Sequence, residues 1–484
     1  MRSKMKILFA AAEAAPFFKT GGLGDVAYAL PKELVKQGVD IRVVLPYYDK
    51  MPEKYQKMTE DVLQFKVKVG WKSVYCGIKK MTLDGITYYL VDNQDYFHRG
   101  TLYGEWDDGE RFGFFSMAVI EMMEKIDFIP EVIHVNDWHT AMIPVLLVDK
   151  YHWIEAYQNI RKVITIHNIR FQGIYTPEIL SNIFGTGMNV FHEDGVFYYD
   201  NVNFLKGGIN FSDIVTTVSP TYANEIQTPE FGEGLDGVLR YNNWKIRGII
   251  NGIDYEINNP ESDPIIPHHF SIEDLTGKQE NKRSLQKRLG LPEKDDIPLL
   301  SSVSRLTDQK GFQLIQEKMQ ELMSTRDVQM VILGTGEPEF EHSFRYFQEQ
   351  YPDKFRALIE FDVELAQEIY AASDLFLMPS AFEPCGLSQM ISMRYGTLPL
   401  VHETGGLKDT VMPYNAATGE GTGFSFYGFS GYNLLGTIYR ALDVYENQPQ
   451  AWKLLMKQAM ETDFSWEQPS KHYIDLYESL TSST

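Results

Sequence analysis

Short apolar runs alternate along the chain with longer amphipathic stretches, in two successive series. The first series opens with the apolar run Met5–Ala12, the amphipathic stretch Val26–Gln37 and a second run at Asp40–Leu45. Short apolar runs predict buried strands, and apolar positions at helical spacing predict helices. A strand, a helix and a strand in that order form a right-handed βαβ unit. The pattern therefore predicts a parallel α/β sheet.

The same alternation continues to residue 256 with one interruption. In Leu63–Val91, apolar and polar residues alternate in runs that are broken at Gly70 and at Asp84-Gly85. Alternation between turn residues is typical of antiparallel strands, so we expect an antiparallel excursion beside the parallel sheet. The remaining pattern predicts one long helix and several strands, at Glu110–Ile126 and at Pro130–Val135, Lys162–Ile166, Asp213–Val218 and Lys245–Ile250.

A second series of strands and helices follows a stretch without any period. That stretch, residues 257–275, is crowded with Pro, Asn, Asp and His, and we interpret it as a linker. The second series predicts strands at Pro298–Val303, Val328–Leu333, Ala357–Phe361, Leu375–Met378 and Leu398–Val401. It predicts helices at Gly311–Met323, Glu364–Ser373, Leu387–Tyr395, Asn433–Tyr445, Pro449–Thr462 and Glu467–Leu480.

These patterns predict an α/β protein built from two Rossmann-like, doubly wound domains. A chain of 484 residues exceeds the size at which one core stops growing, which also favours two domains. The boundaries that we expect are 1–256 for the first domain, 257–275 for the linker and 276–462 for the second domain. The last helix, within 463–484, is expected to return to the first domain.

The net charge of −21 at pH 7 excludes two classes of partner. A strongly acidic surface repels phosphate backbones and anionic headgroups, so neither nucleic acid nor a membrane is expected as a partner. No apolar run approaches the roughly 20 residues that cross a bilayer, and Ile7–Ala12 is too short for the core of a signal peptide. The two cysteines, Cys76 and Cys385, are too few for a disulfide framework. We therefore expect a cytoplasmic protein.

Candidate chemistry begins at the turn between the first strand and the first helix. This turn reads KTGGLGD at residues 19–25, and we call it the glycine loop. Backbone N–H groups and the positive end of a helix favour an anion at such a turn, and Lys19 adds a full charge. The spacing matches neither GxGxxG nor the P-loop, so we predict a phosphate site of another kind. The alternative is a tight turn in which Asp25 caps the helix.

Polar side chains follow three strands of the first series. Asp137 lies in NDWH at residues 136–139, His167 and Asn168 follow the next strand, and Ser219 follows the one after that. The carboxyl ends of parallel strands meet at one edge of the sheet, where open α/β sheets bind ligands. A single polar residue there is more often a cap than a catalyst, but the recurrence selects Asp137 and His167 as candidates.

Two loops of the first series also fit a ligand site. Residues 92–107, which we call the aromatic loop, combine Tyr96, Tyr103 and Trp106 with many polar side chains. This composition suits sugars, whose apolar faces stack on rings while their hydroxyls form hydrogen bonds. The alternative is a solvated loop whose rings pack inward. Glu230–Leu239 is rich in glycine and predicts a mobile loop over the site.

The second series places cations and a carboxylate after its strands. Arg305 and Lys310 follow the first of these strands and could clamp a pyrophosphate, although Lys310 could also be an ordinary surface lysine. Glu383, in PSAFEPCG at residues 379–386, lies just before a helix N-terminus, where an anion is favoured. Cys385 has no His or Asn nearby to activate it, so packing is the better interpretation of its role.

Several motifs stand in a fixed order along nearly the whole chain. They are KTGGLGD at Lys19, DWH at Asp137, HN at His167, GEGLDG at Gly232, NGID at Asn251, SRLTDQKG at Ser304, PSAFEPCG at Pro379 and TGGL at Thr404. In sequence and order they resemble the motifs of bacterial glycogen synthases and plant starch synthases. The resemblance implies a GT-B fold, with two Rossmann-like domains across a deep cleft and a C-terminal helix that crosses back. It also implies transfer of glucose from ADP-glucose to the non-reducing 4-OH end of an α-1,4-glucan such as glycogen, with retention of configuration.

The same resemblance implies roles for individual residues. One group would hold the diphosphate of the nucleotide sugar: Lys19, Gly22, Arg305 and Lys310. Another group would touch the transferred glucose: His167, Asn251 and Glu383. Asp137 would lie near the acceptor. Further substrate-binding positions fall within the motifs: Asn168, Cys385, Gly386, Thr404 and Gly405.

No metal ion or other cofactor is expected, because protein cations can neutralise a leaving diphosphate and the sequence shows no ligand cluster at metal spacing. A retaining GT-B transferase that uses a UDP-sugar is an alternative, since the resemblance alone assigns the base. A glycosidase with Asp137 and Glu383 as its carboxylate pair is another. A dehydrogenase lacks its dinucleotide fingerprint. A glucan-binding protein without activity would keep the aromatic loop but tolerate the loss of Lys310.

Overall fold

The structure, a computed structural model, describes residues 3–482 of the chain. The chain forms two compact units. The first unit comprises the chain up to Ile250 and the segment from Trp466 onward, and the second comprises Asn251–Ser465. Each unit is built on a sheet that is wholly or mainly parallel, which confirms the predicted fold class.

The elements of the first unit follow the predicted order, with small shifts at their ends. Its strands are β1 (Lys6–Ala10), β2 (Asp40–Pro46), β3 (Glu60–Val69), β4 (Lys72–Leu83), β5 (Ile86–Asp92), β6 (Val132–Asn136), β7 (Arg161–Ile166), β8 (Ile174–Tyr175), β9 (Phe197–Tyr198), β10 (Asn201–Asn203), β11 (Ile214–Thr217) and β12 (Ile246–Gly248). Its helices are α1 (Gly22–Lys36), α2 (Glu53–Gln56), α3 (Gln94–Phe97), α4 (Asp108–Lys125), α5 (Met142–Val148), α6 (Ile179–Asn182), α7 (Phe204–Phe211), α8 (Pro220–Glu225), α9 (Asp236–Tyr241) and, at the end of the chain, a helix at Glu467–Thr481. Short 3-10 turns occur at Glu155–Tyr157 and Asn243–Lys245.

Nine strands of this unit form one sheet in the order β12-β11-β7-β6-β1-β2-β5-β4-β3. Strand β4 pairs antiparallel with both β3 and β5, whereas β5 pairs parallel with β2. The predicted antiparallel excursion is therefore confirmed. The central strand β1 is fully buried over Ile7–Ala10, because a parallel strand with helices on both faces has no solvent side. Strands β8, β10 and β9 form a separate small sheet.

The second unit contains the remaining elements. Its strands are β13 (Leu299–Val303), β14 (Gln329–Leu333), β15 (Phe355–Leu358), β16 (Leu375–Met378), β17 (Leu398–His402) and β18 (Phe424–Phe426). Its helices are α10 (Thr276–Arg288), α11 (Phe312–Thr325), α12 (Pro338–Gln350), α13 (Val363–Ala372), α14 (Ser388–Arg394), α15 (Gly405–Thr410), α16 (Gly431–Asn447) and α17 (Pro449–Glu461), and the helix at Glu467–Thr481 is therefore α18. Within residues 3–482, every helix is too short or too polar to cross a membrane.

The sheet of the second unit is parallel throughout, in the order β15-β14-β13-β16-β17-β18. The strand order therefore reverses between β13 and β16. Open α/β sheets bind ligands beyond the carboxyl ends of the strands at such a reversal. Strand β13 leads to the loop with Arg305 and Lys310, and β16 leads to the loop with Glu383. The topology therefore brings the predicted chemistry of this unit to one place.

Helix α18 completes the first unit. It packs on α1, where the Gln37 side chain donates a hydrogen bond to the Ser470 hydroxyl. The buried Tyr477 of the same helix places its hydroxyl 2.6 Å from Nδ1 of His134 in β6. The other ring nitrogen of His134 lies 2.6 Å from the Thr165 hydroxyl in β7. The predicted return of the last helix to the first domain is confirmed.

The variant Tyr477→Phe is expected to destabilise the first unit. Burial lowers the pKa of His134 to about 3, so its ring is neutral at pH 7. Without the Tyr477 hydroxyl, Nδ1 of His134 is left buried without a partner, at a cost of about 1–3 kcal/mol. Thermal unfolding followed by circular dichroism should show a lower Tm for this variant. The matched change Tyr346→Phe, at an exposed site of the second unit, should leave the Tm unchanged. Equal Tm values for both variants would contradict the role of Tyr477.

Residues 257–275, which we predicted to be a linker, are instead packed into the second unit. They lack helices and strands, as their composition indicates, but Ile266 and Phe270 are buried in a cluster with Tyr395. Asp263 accepts a hydrogen bond of 2.6 Å from the Tyr395 hydroxyl. The linker interpretation is wrong because a few apolar side chains among many polar ones anchor the segment to the core.

The structure differs from two further predictions. Glu230–Leu239, predicted to be a mobile loop, ends inside helix α9, and both Leu235 and Leu239 are fully buried. These leucines fix the segment to the first unit. The NGID motif, which begins at Asn251 and which we placed in the first domain, lies in the second unit.

Candidate active site

The candidate site of the first unit lies where β1 and β6 end, because the strand order of its sheet reverses between these two neighbours. Strand β1 leads to the glycine loop, β6 leads to Asp137, and β7 leads to His167 and Asn168. Such a reversal opens a crevice at the carboxyl ends of the strands. The first unit therefore brings one set of predicted site residues to a single sheet edge: Lys19, Gly22, Asp137, His167 and Asn168.

Asp137 adopts a backbone conformation that its surroundings must enforce. Its φ is +59°, and its N–H donates a hydrogen bond of 3.0 Å to the carbonyl of Thr165. Its carboxylate accepts a hydrogen bond of 2.7 Å from the backbone N–H of His167. Burial raises the pKa of Asp137 to about 7, against the lowering effect of backbone hydrogen bonds from His167 and Asn168. This carboxyl group therefore titrates in the neutral range.

The variant Asp137→Asn is expected to remove a pH dependence of stability. In the unfolded chain this carboxyl titrates near pH 4, and in the folded protein near pH 7. Between these values the folded state binds more protons, so the stability that Asp137 contributes falls as the pH rises. The Tm of the variant minus that of the wild type should therefore grow from about pH 5 to about pH 8. Melts at both pH values test this, and a difference that does not change with pH would contradict it.

His167 is half-buried and has a defined tautomer. Its Nε2 lies 2.9 Å from Oδ1 of Asn136, whose Nδ2 donates to the carbonyl of Ala10. An amide oxygen can only accept, so Nε2 of His167 carries the proton. Burial lowers the pKa of His167 to about 3, which keeps the ring neutral. Its Nδ1 therefore retains a lone pair that can accept a hydrogen bond from a ligand hydroxyl.

The glycine loop has the form that an anion site requires. Helix α1 begins at Gly22, so its first N–H groups have no helical acceptor. Lys19 Nζ lies 2.8 Å from the carboxylate of Asp25. The alternative role of Asp25 as the helix cap is wrong, because the N-cap position is Gly21 and Asp25 lies in the first turn.

Part of this loop is already occupied by a carboxylate of the protein. The backbone N–H groups of Thr20 and Gly21 donate to Oε2 of Glu13 at 2.8 and 3.2 Å. The phosphate cradle that we predicted for the loop therefore has fewer free backbone N–H groups than expected. The groups that remain for a ligand are the Lys19 ammonium and the start of helix α1 at Gly22.

The aromatic loop combines the two structures that we considered for it. Tyr96 is buried, as expected of a loop whose rings pack inward. Trp106 is 89% exposed, and the ring of Tyr103 stacks on His139 with centroids 4.5 Å apart. Exposed and stacked rings suit the apolar face of a sugar. Sugar binding by this loop remains a prediction.

In the second unit, Lys310 and Glu383 form an ion pair. The Lys310 ammonium lies 2.9 and 3.1 Å from the carboxylate oxygens of Glu383, and the Ser380 hydroxyl donates to the same carboxylate at 2.9 Å. Glu383 is only 6% exposed, so its charge needs a partner. The alternative that Lys310 is an ordinary surface lysine is wrong, because its side chain is mostly buried against this carboxylate.

Close backbone contacts join the loops that carry these two side chains. Gly311 has φ +80°, and a Cβ at this position would lie 1.9 Å from the carbonyl oxygen of Pro379. Next to this contact, the N–H of Ala381 donates to the carbonyl of Gln309 at 2.8 Å. Only glycine permits both the conformation and the approach at 311. The ion pair is therefore positioned by backbone as well as by charge.

The TGGL turn packs against the Glu383 loop from another strand end. Gly405 has φ +45°, and a Cβ there would lie 1.8 Å from the carbonyl oxygen of Glu383. The N–H of Gly406 donates to the same carbonyl at 3.1 Å. The neighbouring Thr404 is buried. Gly386 has φ +77° and lies close to the side chain of Glu383. These predicted substrate-binding residues therefore surround Glu383.

Arg305 is exposed at the end of β13. Its guanidinium forms no hydrogen bond or ion pair with any residue in the range 3–482. The backbone beside it is fixed, because the N–H of Leu306 donates to the carbonyl of Thr335 at 2.9 Å. A fixed backbone with an uncommitted guanidinium suits a phosphate ligand.

Asn251 and Cys385 are neighbours in the second unit. Burial raises the pKa of the Cys385 thiol to about 12, against the lowering effect of a backbone hydrogen bond from Asn251. A protonated, buried thiol is not a nucleophile, which agrees with a packing role for Cys385. The side-chain Oδ1 of Asn251 is buried and has no hydrogen-bond partner within the described residues. This oxygen is available to a ligand hydroxyl.

Comparisons with known proteins agree with this geometry. Residues 6–241 match the family "Starch synthase catalytic domain", and residues 281–445 match "Glycosyl transferases group 1". The chain is 58% identical over 476 residues to the glycogen synthase of Streptococcus sanguinis (strain SK36), which covers 98% of this chain and 100% of that protein. The chain belongs to the glycogen and starch synthase family. It is therefore a glycosyltransferase, and the resemblance seen in the sequence is confirmed.

Other members of the glycogen and starch synthase family match over equal lengths. The glycogen synthase of Streptococcus agalactiae serotype III (strain NEM316) is 57% identical, with 98% of this chain and 100% of that protein covered. The catalytic domain of starch synthase IV from Arabidopsis thaliana, solved with ADP and acarbose, superimposes with a TM-score of 0.92 at 36% identity, covering 99% and 100% of the two chains. Sucrose-phosphate synthase from Thermosynechococcus elongatus, at 16% identity and a TM-score of 0.61 over 99% and 100% of the two chains, shares the fold.

Three polar residues that position these family motifs are not among the residues predicted from the sequence. Glu13 binds the glycine loop, Asn136 orients His167, and Ser380 binds Glu383. Glu13 is a single polar residue within an apolar stretch, and Asn136 is the last residue of the buried strand β6. A lone polar residue at the end of a buried strand must find a partner, and this is the signal that could have revealed them.

Proposed function

We propose that this protein transfers glucose from ADP-glucose to the 4-OH at the non-reducing end of an α-1,4-glucan, with retention of configuration and release of ADP. The observation that carries the proposal is the Lys310–Glu383 pair at the strand-order reversal of the second sheet. In this pair, the Lys310 ammonium can neutralise a leaving phosphate, and the adjacent Glu383 carboxylate can stabilise positive charge on a sugar. The glycogen synthases among its relatives, and the ADP in the starch synthase IV structure, support the choice of substrates.

The diphosphate needs positive groups, because bond cleavage leaves negative charge on it. In the second unit we assign this role to Arg305, which is uncommitted, and to Lys310. In the first unit we assign it to Lys19 and to the helix N-terminus at Gly22. Helix N-termini and guanidinium groups are suited to phosphate oxygens.

The glucose moiety needs the opposite charge, because its transition state resembles an oxocarbenium ion. The carboxylate of Glu383 can supply that charge from a buried position, where electrostatic stabilisation is strongest. Asn251 offers an unpartnered amide oxygen and His167 offers Nδ1 as hydrogen-bond acceptors for sugar hydroxyls. Asp137 would orient the acceptor.

The proposed step keeps the incoming and outgoing groups on one face of the sugar. The bond from C1 of glucose to the phosphate oxygen breaks, and a bond from C1 to O4 of the acceptor forms. The acceptor hydroxyl gives its proton to the departing phosphate oxygen, so atoms and charge balance. No protein nucleophile is required, which agrees with the protonated thiol of Cys385.

We further propose that the reaction needs no metal ion, because Arg305, Lys310 and Lys19 can neutralise the leaving diphosphate. Among residues 3–482, His, Cys, Asp and Glu side chains form no group of three or more that could hold a metal. Activity should then persist in the presence of a chelator. Loss of activity that added magnesium restores would contradict this part of the proposal.

A donor screen tests the proposed function. ADP-glucose and UDP-glucose are each supplied with and without glycogen, and nucleotide release and the anomeric configuration of the new linkage are measured. We expect ADP release that depends on glycogen, and an α-linkage. Faster turnover of UDP-glucose would favour the UDP-sugar transferase instead. Release of glucose from glycogen without any donor would favour a glycosidase, and glycogen binding without turnover would favour a binding protein.

A further inference from the structure

Glu13 accepts four hydrogen bonds immediately behind the glycine loop, and its side chain is almost fully buried. Its Oε2 accepts from the backbone N–H groups of Thr20 and Gly21 at 2.8 and 3.2 Å. Its Oε1 accepts from the Thr20 hydroxyl at 2.8 Å and from the Tyr103 hydroxyl at 2.7 Å. Each carboxylate oxygen offers about two acceptor sites, so both oxygens are fully used.

These contacts set the backbone path of the glycine loop. Successive N–H groups that point at one anion form a nest, and here the anion belongs to the protein itself. Gly24 approaches the same point, because a Cβ there would lie 2.4 Å from Cβ of Lys19 and 2.9 Å from Oε2 of Glu13. The loop is therefore folded around Glu13, with Lys19 before it and the start of helix α1 after it.

The fourth donor comes from the aromatic loop. Tyr103 stacks on His139 through its ring and donates to Glu13 through its hydroxyl. Burial, together with the charge of Glu13, raises the pKa of Tyr103 well above its usual value, so the hydroxyl keeps its proton. The Glu13 carboxylate therefore joins the glycine loop to the aromatic loop, through a hydrogen bond from Tyr103, which lies 90 positions further along the chain.

We propose that Glu13 is a positioning residue that couples the aromatic loop to the glycine loop and so sets how the glycine loop binds the donor diphosphate. The inference rests on the proposed function, in which the glycine loop contacts ADP-glucose. Glu13 touches no reacting atom and acts through the positions of Lys19 and Gly22. Because Tyr103 and the glycine loop bind the same carboxylate, we expect a change at Tyr103 to alter donor binding.

The test is the variant Tyr103→Phe, which keeps the ring on His139 and removes only the hydrogen bond to Glu13. We expect the KM for ADP-glucose to rise about fivefold, because a hydrogen bond to a charged group is lost while three donors remain. The value of kcat should change less than twofold. A KM for ADP-glucose within twofold of the wild type would overturn the proposal.

The matched control is Tyr151→Phe, which removes a 2.6 Å hydrogen bond from a tyrosine to Glu121 elsewhere in the first unit. We expect this control to leave the KM for ADP-glucose unchanged. A merely structural role for Tyr103 would lower the Tm of both variants alike and leave both KM values unchanged. A double-mutant cycle with Thr20→Val tests the coupling, since both hydroxyls bind the same carboxylate oxygen. The combined effect should be smaller than the product of the single effects.

A second measurement does not depend on activity. Hydrogen–deuterium exchange of a peptide that covers residues 19–25 should be faster in Tyr103→Phe than in the wild type, and unchanged in Tyr151→Phe. Equal exchange in all three proteins would overturn the coupling. If the wild type fails to use ADP-glucose, the proposed function fails, and the exchange result still decides whether Glu13 couples the loops.

Discussion

Glu383→Gln is expected to lower kcat about a thousandfold with ADP-glucose and glycogen. The substitution keeps the size of the side chain and removes its negative charge from a site that is 6% exposed. In such a site a fixed charge stabilises an oxocarbenium-like transition state far more than it would in water. The amide also places an NH₂ or a neutral oxygen against the Lys310 ammonium, so that cation loses its partner. Steady-state kinetics at saturating donor and acceptor measure the effect.

The control for this variant is Glu368→Gln. Glu368 also pairs with a cation of the second unit, Arg288, but it lies on helix α13, outside the loop that carries Glu383. We expect its kcat to remain within twofold of the wild type. A Glu383→Gln enzyme with near-normal kcat would refute the role of this carboxylate in sugar transfer. An equal loss in both variants would indicate a structural defect instead.

Lys310→Met is expected to lower kcat/KM for ADP-glucose at least a hundredfold and to lower the Tm as well. The variant removes a cation that we assign to the leaving diphosphate, and it leaves the Glu383 carboxylate buried without its partner. Removing one member of a buried ion pair costs about 3–5 kcal/mol of stability. Kinetics and thermal melts on the same preparation measure both effects. Lys318→Met, on the neighbouring helix α11, should change neither.

The double variant Lys310→Met/Glu383→Gln tests whether the ion pair accounts for the stability that Lys310→Met loses. The double variant has no unpaired buried carboxylate, so its Tm should lie above that of Lys310→Met. Its activity should stay low, because it lacks both the carboxylate that we assign to the sugar and the cation that we assign to the diphosphate. A Tm no higher than that of Lys310→Met would refute the unpaired charge as the cause of the lost stability.

The strand ends are the part of the site that the sequence predicts best. Asp137 and His167 follow short apolar runs that predict buried strands, and the rule that parallel strands end at one edge brings them together. The hydrogen bond from the His167 backbone N–H to the Asp137 carboxylate shows that the two residues lie close together, as that rule predicts. Lys310 and Glu383 form an ion pair although 73 positions separate them in the sequence. They also follow parallel strands that end at one edge of a sheet.

The parts that the sequence did not predict depend on side-chain contacts across long stretches of chain. The segment 257–275 has the composition of a linker, and only the packing of Ile266 and Phe270 against Tyr395 makes it part of the second unit. Glu13 is a single polar residue in an apolar stretch, and its role depends on a partner in the aromatic loop. Composition and periodicity do not predict which distant residue a side chain will contact.

The placement of Tyr477 against His134 has a consequence for synthesis on the ribosome. The polypeptide is made from its N-terminus, so the sheet of the first unit emerges long before the helix that covers His134. The second unit can fold while that face of the sheet is still uncovered, because helix α18 is made last. Translation arrest before Glu467 would release a protein with one folded unit and one incomplete unit, a species that chaperones and proteases would recognise by its exposed apolar surface.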